Sequence, residues 1–235
     1  PPDQHLWKDP SVQSAVETLS PTRVRLTVEV PFEELEPEMQ AAYRTIGGQV
    51  RVQGFRPGKV PPRILDQRVG RGVVLEEAVQ QAVANSKKAA VNYQRQLVLR
   101  KDHDPVTSLT NELYAIFMCH LLSGSEASVK YTEMLLEDVK KAPKGEGLHV
   151  LWMHIMPFLQ EPVKDVFNYS KKMHISACDF VADGFREMHA EDPYEAMAEK
   201  MVYCIYNGDV SQRIQMAERL AKETEANGGI LFAHW

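Results

Sequence analysis

Phe55, Arg56 and Lys59 stand within five consecutive positions of the stretch Gly-Phe-Arg-Pro-Gly-Lys-Val-Pro, residues 54–61, the densest contact chemistry in a chain of 235 residues. Arg56 can offer a planar fork of donors to a phosphate or carboxylate. Lys59 adds a compact positive charge, and Phe55 supplies a rigid apolar anchor or a face on which a base can stack. Gly54 and Gly58 permit a positive φ, while Pro57 and Pro61 restrict the backbone, so the loop should present these side chains in few poses. Fewer poses mean less entropy lost on docking. Arg51 and Arg63 flank the loop. Between Arg44 and Gly72 seven basic residues face one acid, Asp66, a local balance of +6 in a chain of net charge −5. Such a patch in an acidic chain points to a polyanionic partner, because neutralised phosphates release counterions. As a bare cluster it is equally consistent with a solvated face that binds nothing.

The elements around the loop read as two helices. Leu35, Met39, Ala42, Tyr43 and Ile46, with Phe32 ahead of them, recur at helical spacing. Pro37 fits only near the first turn, and Gly47-Gly48 is expected to stop or fray the helix. Pro61-Pro62 opens a second helix carrying Ile64, Leu65 and Val69, interrupted at Gly70 and Gly72. Upstream, Val24, Leu26, Val28 and Val30 alternate with Arg25, Thr27 and Glu29, the pattern of a strand with one buried face. No partner strand is read for it, although an isolated strand has nowhere to place its backbone donors and acceptors.

The text from Ser14-Ala-Val-Glu-Thr-Leu-Ser-Pro-Thr-Arg-Val to Gly70-Arg-Gly-Val-Val-Leu-Glu-Glu-Ala-Val resembles the ribosome-docking domain of trigger factor, a bacterial nascent-chain chaperone family, with the likeness ending near Val83. In that family the loop is the docking signature, and its aromatic and first basic positions match Phe55 and Arg56. The next position, often lysine in the family, is Pro57 here. The resemblance implies a ribosome-binding site made of Gly54, Phe55, Arg56, Gly58 and Lys59, helped by Arg51 and Arg63. It also implies the ribosome and nascent chains as partners. It does not carry over isomerase activity, since the family's prolyl-isomerase domain and helical arms find no match.

From Val73 to His103 no proline or glycine occurs, and Leu75, Val79, Ala82, Val83, Ala89, Ala90, Tyr93 and Leu97 keep a helical stripe, so one helix of nearly 30 residues is expected. Another spans Leu109–Leu122, closed by Gly124, and Ser125 caps a third reaching Lys141. From His149 the class changes. Val150–Ile155 is a continuous apolar run, as in a buried parallel strand. His174–Cys178 and Ile230–His234 read as further strands, with helices at 162–172, 193–206 and 210–226 between them. Alternating strands and helices imply a small parallel sheet of Rossmann-like type.

Val150-Leu-Trp-Met-His-Ile-Met-Pro-Phe, Asp192-Pro-Tyr-Glu-Ala-Met-Ala, Tyr206-Asn-Gly-Asp and Phe232-Ala-His-Trp resemble the 2-hydroxyacyl-CoA dehydratase and benzoyl-CoA reductase subunits, over about residues 85–235. That resemblance implies an iron–sulfur cluster on cysteines and a partner subunit. A ligand cysteine of that family follows the His-Trp pair, where this sequence stops, and Cys119, Cys178 and Cys204 do not match the ligand positions. No cluster, cofactor, metal or catalytic residue is therefore expected, and enzyme activity is expected to be absent. Weak candidates for a ligand crevice are His234 and Trp235, because parallel sheets bind ligands at strand carboxyl ends. His154 reads as a core histidine. Cys119 and His120, being adjacent, are expected to face different sides of a helix.

The chain thus reads as a composite of class α/β. An unassigned leader, 1–11, precedes an α+β module with one strand and a helix–loop–helix, 12–83. A helical connector, 84–148, leads to a partial Rossmann-like domain, 149–235. No apolar run approaches the length needed to cross a bilayer, the start lacks a signal pattern, and the three cysteines lie far apart. A reducing, cytoplasmic setting without a membrane partner is expected.

Overall fold

The computed structural model describes residues 13–20, 23–29, 35–104, 107–144, 146–158, 160–207 and 209–232. The chain divides into two compact units, Pro1–Val79 and Gln80–Trp235. The architecture is mixed α/β, as the alternating patterns imply.

In the first unit the alternating stretch forms strand β2 (Arg23–Glu29), paired antiparallel with β1 (Gln13–Ser20) just before it. The single-strand reading is corrected. The partner was hidden because Ala15, Val16 and Leu19 do not follow a period of two, so β1 lacks the signature that reveals β2. Glu17 lies opposite Arg25, and their side chains pair at 2.9 Å. Val30 and Phe32 lie outside the described residues.

Helix α1 (Glu36–Gln49) begins with Pro37 in its first turn, where a missing N–H costs nothing, beside Glu36 and Glu38, which suit the positive end of the helix dipole. Its stripe buries Met39, Ala42 and Ile46 against Val60, Leu65, Val74 and Ala78, with Leu35 and Tyr43 packed at the edge. Leu65, on α2 (Pro62–Val69), is fully buried and contributes about 2 kcal/mol by that burial. Gly70 ends α2 at φ +87°, a conformation glycine adopts without strain, and α3 (Arg71–Leu99) follows at once.

Gly47-Gly48 does not stop α1, which runs on to Gln49. Gly47 is buried inside the helix, and a Cβ there would stand in ordinary contact, 3.5 Å, with Leu65 Cδ1. The stripe read along α3 also shifts by one residue at its start. Val74 and Ala78 are buried, whereas Leu75 is exposed.

The second unit has one main core. Ala89, Tyr93 and Leu97 from α3 join Leu109 and Ala115 of α4 (Ser108–Ile116) and Leu135 and Val139 of α5 (Glu126–Lys141). These pack with a three-stranded parallel sheet in the order β4-β3-β5: β3 (Leu148–Met153) lies between β4 (Met173–Cys178) and β5 (Gly228–Leu231). The central strand buries Val150, Leu151 and Trp152, which explains its unbroken apolar run. Between the strands lie α6 (Glu161–Lys164), α7 (Asp179–Gly184), α8 (Pro193–Val202) and α9 (Val210–Glu223). Caps fall where the sequence places them: Ser125 Oγ accepts from the Ser128 amide at 3.2 Å, and Asp192 and Asp209 cap α8 and α9.

Charged and polar groups inside this core went unread. Arg100 and Glu112, both fully buried, pair at 2.5 Å. Arg100 also donates to Gln96 Oε1 at 2.7 Å, and Tyr93 donates to Glu112 at 3.0 Å.

Candidate functional site

The loop between α1 and α2 is held by its own backbone. Val50 N–H donates to Ile46 O as α1 ends, Phe55 N–H donates to Val52 O at 3.1 Å, and Lys59 N–H donates to Arg56 O at 3.0 Å. The tightest tie is Gly58 N–H to Gly47 O, 2.7 Å, which pins the far side of the loop to the last turn of α1. Gly54 and Gly58 take φ values of +89° and +75°, and a Cβ at either would meet nothing within 4 Å. Backbone conformation, not crowding, is what asks for glycine there. Val60 turns inward, buried in the unit's core, with Val50 and Val52 packed against its edge, and anchors the loop before Pro61.

What remains outside is the contact set. Phe55 is 41% exposed, and Arg56, Lys59, Arg51 and Arg63 are exposed. Among the described residues, none of these four cations has a carboxylate partner. Asp66, the acid of the basic stretch, is occupied differently: its Oδ1 accepts the Tyr43 hydroxyl at 2.7 Å across α1 and α2. Burial and that bond push the Tyr43 hydroxyl up to about 12. No signal in the sequence announced this pair, since Tyr43 counted only as an apolar member of the α1 stripe.

Comparison with known proteins decides the family. The model of the Bacterial trigger factor protein family matches residues 12–141, more than half of the chain. The chain belongs to the trigger factor family. It is 53% identical over 106 residues to the trigger factor of Frankia casuarinae, an alignment covering 45% of this chain and 22% of that protein. To the trigger factor of Streptomyces avermitilis it is 46% identical over 141 residues, covering 56% and 30%. To that of Kineococcus radiotolerans it is 59% identical over 80 residues, covering 34% and 17%. The chain spans less than a third of the length of these relatives. No solved structure matches it. The trigger factor match also runs past Val83, where the motif-level likeness ended, to the end of α5.

His234 and Trp235 lie outside the described residues. His154 follows β3 rather than lying on it, at φ +79°, and its N–H donates to Asp179 Oδ1 at 2.7 Å. Arg213 pairs with the same buried carboxylate at 2.8 Å. Cys119 is buried, whereas His120 is exposed. A π-helical turn, Phe117–Leu121, widens the helix, and both side chains border Gly184, where a Cβ would collide with Cys119 and stand 3.2 Å from His120 Cε1.

Burial pushes the Cys119 thiol up to about 12 and raises Cys178 well above its usual range. Among the described residues no three metal-ligating side chains are grouped. A cavity of about 620 Å³ is lined by Gln94, Arg186, Tyr203, Gln212, Met216 and Arg219. Its arginines are already engaged, Arg186 with Asp183 at 2.7 Å and Arg219 with Glu223 at 3.0 Å. No helix among the described residues is long and apolar enough to cross a membrane.

Proposed function

We propose that the first unit docks this chain on the ribosome through residues 54–61, placing it near emerging nascent chains in the cytoplasm. The observation that carries the reading is the outward projection of Phe55, Arg56 and Lys59 from a backbone-tied loop, with both cations unneutralised among the described residues, in a member of the trigger factor family. Arg56 and Lys59 meet phosphate or carboxylate, Phe55 fills a pocket or stacks on a base, and Arg51 and Arg63 widen the positive field. Gly54 and Gly58 hold the pose. The remainder of the chain is carried along as a catalytically silent, dehydratase-like piece, without cofactor or cluster.

Cosedimentation with ribosomes tests this. Arg56→Ala combined with Lys59→Ala should weaken binding roughly tenfold or more, and wild-type binding should fall steeply with salt. Binding that ignores both the substitutions and the salt would sink the proposal. The rival reading, an iron–sulfur subunit completed by another chain, rests on the parallel sheet of the second unit. Anaerobic reconstitution with iron and sulfide should give no charge-transfer absorbance, and its appearance would favour the rival.

A further inference from the structure

Docking needs more than the right side chains on a loop; it needs the two helices that carry the loop to hold one relation. Within the first unit two contacts bear on that relation beside the shared apolar packing. One is the seam where Gly47 lies against Leu65 and where its carbonyl receives the Gly58 amide. Another sits one turn earlier on α1, where the Tyr43 hydroxyl, carried four residues before Gly47, donates to Asp66, carried next to Leu65 on α2. The first contact fixes where the loop leaves and returns. The second closes α1 on α2 beside it.

Asp66 Oδ1, accepting from Tyr43, belongs to the helix junction. The tyrosine side of the bond is durable: a hydroxyl raised to about 12, first by burial and then by the bond itself, stays protonated and donating throughout ordinary pH. This contribution is present below about pH 10 and is lost only as pH rises through the folded value.

We infer that Tyr43 and Asp66 are positioning residues for the docking loop, forming a clasp between α1 and α2 that sets the pose in which Phe55, Arg56 and Lys59 are offered. The consequence for ribosome affinity rests on the proposed docking function; the control of loop pose does not. Tyr43→Phe removes the hydroxyl alone and keeps the ring's packing in the partly buried site. Asp66→Asn keeps an acceptor oxygen in place, and Asp66→Ala removes it.

Amide hydrogen exchange on the full chain separates a clasp from a general prop. In Tyr43→Phe and Asp66→Ala, the Phe55, Gly58 and Lys59 amides should exchange roughly three- to tenfold faster, the range expected for one lost hydrogen bond. The amides of Ile46 and Ala78, inside α1 and α3, should not change. Asp66→Asn should stay close to wild type, and ribosome binding should weaken in step with loop exchange. The inference fails if all these amides accelerate together, if none does, or if Asp66→Asn behaves like Asp66→Ala. The exchange arm needs no ribosome, so a docking failure, shown by indifference to Arg56→Ala and Lys59→Ala, leaves it decisive.

Discussion

Gly58 does two jobs that glycine combines at the least conformational cost. It sits at φ +75°, and its amide makes the 2.7 Å bond to Gly47 O that ties the loop down. Since nothing lies within 4 Å of a Cβ built there, Gly58→Ala isolates the conformational term, about 1 kcal/mol for an L-residue held in the left-handed region. The variant should keep the unit's helical circular dichroism and lose roughly fivefold in ribosome affinity, a 1 kcal/mol effect expressed in the loop. Helix loss instead would place the residue among those that hold the fold. Asn tolerates this region better than Ala, so Gly58→Asn should recover part of the loss. At this scale the sequence was informative about the loop's conformation: the positive φ read for Gly54 and Gly58 is found at both, and Phe55 and the cations are exposed. Tyr43 was not legible, because a tyrosine on an amphipathic stripe reads as apolar, and its hydroxyl matters only once Asp66, 23 residues away, is folded beside it.

At the scale of elements, what could be read depended on whether a local pattern existed. β2 and β3 announced themselves by alternation and by an apolar run, and Ser125 by its place before a helical stripe. β1 had no period, the π-helical turn at Phe117–Leu121 has no one-dimensional signature, and Gly47-Gly48 looked like a stop although the helix runs on to Gln49. Arg100 and Glu112 escaped for a similar reason, since charges on helices are normally solvent-facing. Their burial makes them sensitive. Glu112→Ala strands a fully buried guanidinium and should cost the second unit about 3–5 kcal/mol, whereas replacing both partners by apolar residues should cost much less. Urea unfolding followed by Trp152 fluorescence, in a chain carrying Trp7→Phe and Trp235→Phe, measures both; equal losses would show that the pair, not the orphaned charge, matters. His120 adds a pH dependence of definite sign. Burial holds its ring below the ordinary histidine value, with Lys200 adding to the effect. The unfolded chain therefore takes up a proton that the folded one resists, so the second unit should lose stability as pH falls below about 6.5, and His120→Gln should flatten that decline.

For the molecule as a whole, each unit has its own buried cluster, Met39, Ala42, Ile46, Leu65 and Val74 in the first and a larger set around Tyr93, Trp152 and Ile175 in the second. A unit as small as the first buries little surface per residue and is marginal by itself. Leu65→Ala, at a site with no exposure, should cost it about 2–5 kcal/mol, enough to unfold most of its population near body temperature. Trp152 is buried in the second unit, edge-on to Phe167, and reports that core alone once Trp7 and Trp235 are replaced by phenylalanine. Independent cores predict that Leu65→Ala abolishes ribosome cosedimentation and part of the helical signal while the Trp152 unfolding midpoint stays where it was. Glu112→Ala should do the reverse, lowering the Trp152 midpoint and sparing ribosome binding. If Leu65→Ala drags the Trp152 midpoint down with it, the two clusters unfold as one, and docking strength becomes a property of the entire chain rather than of the unit that bears the loop.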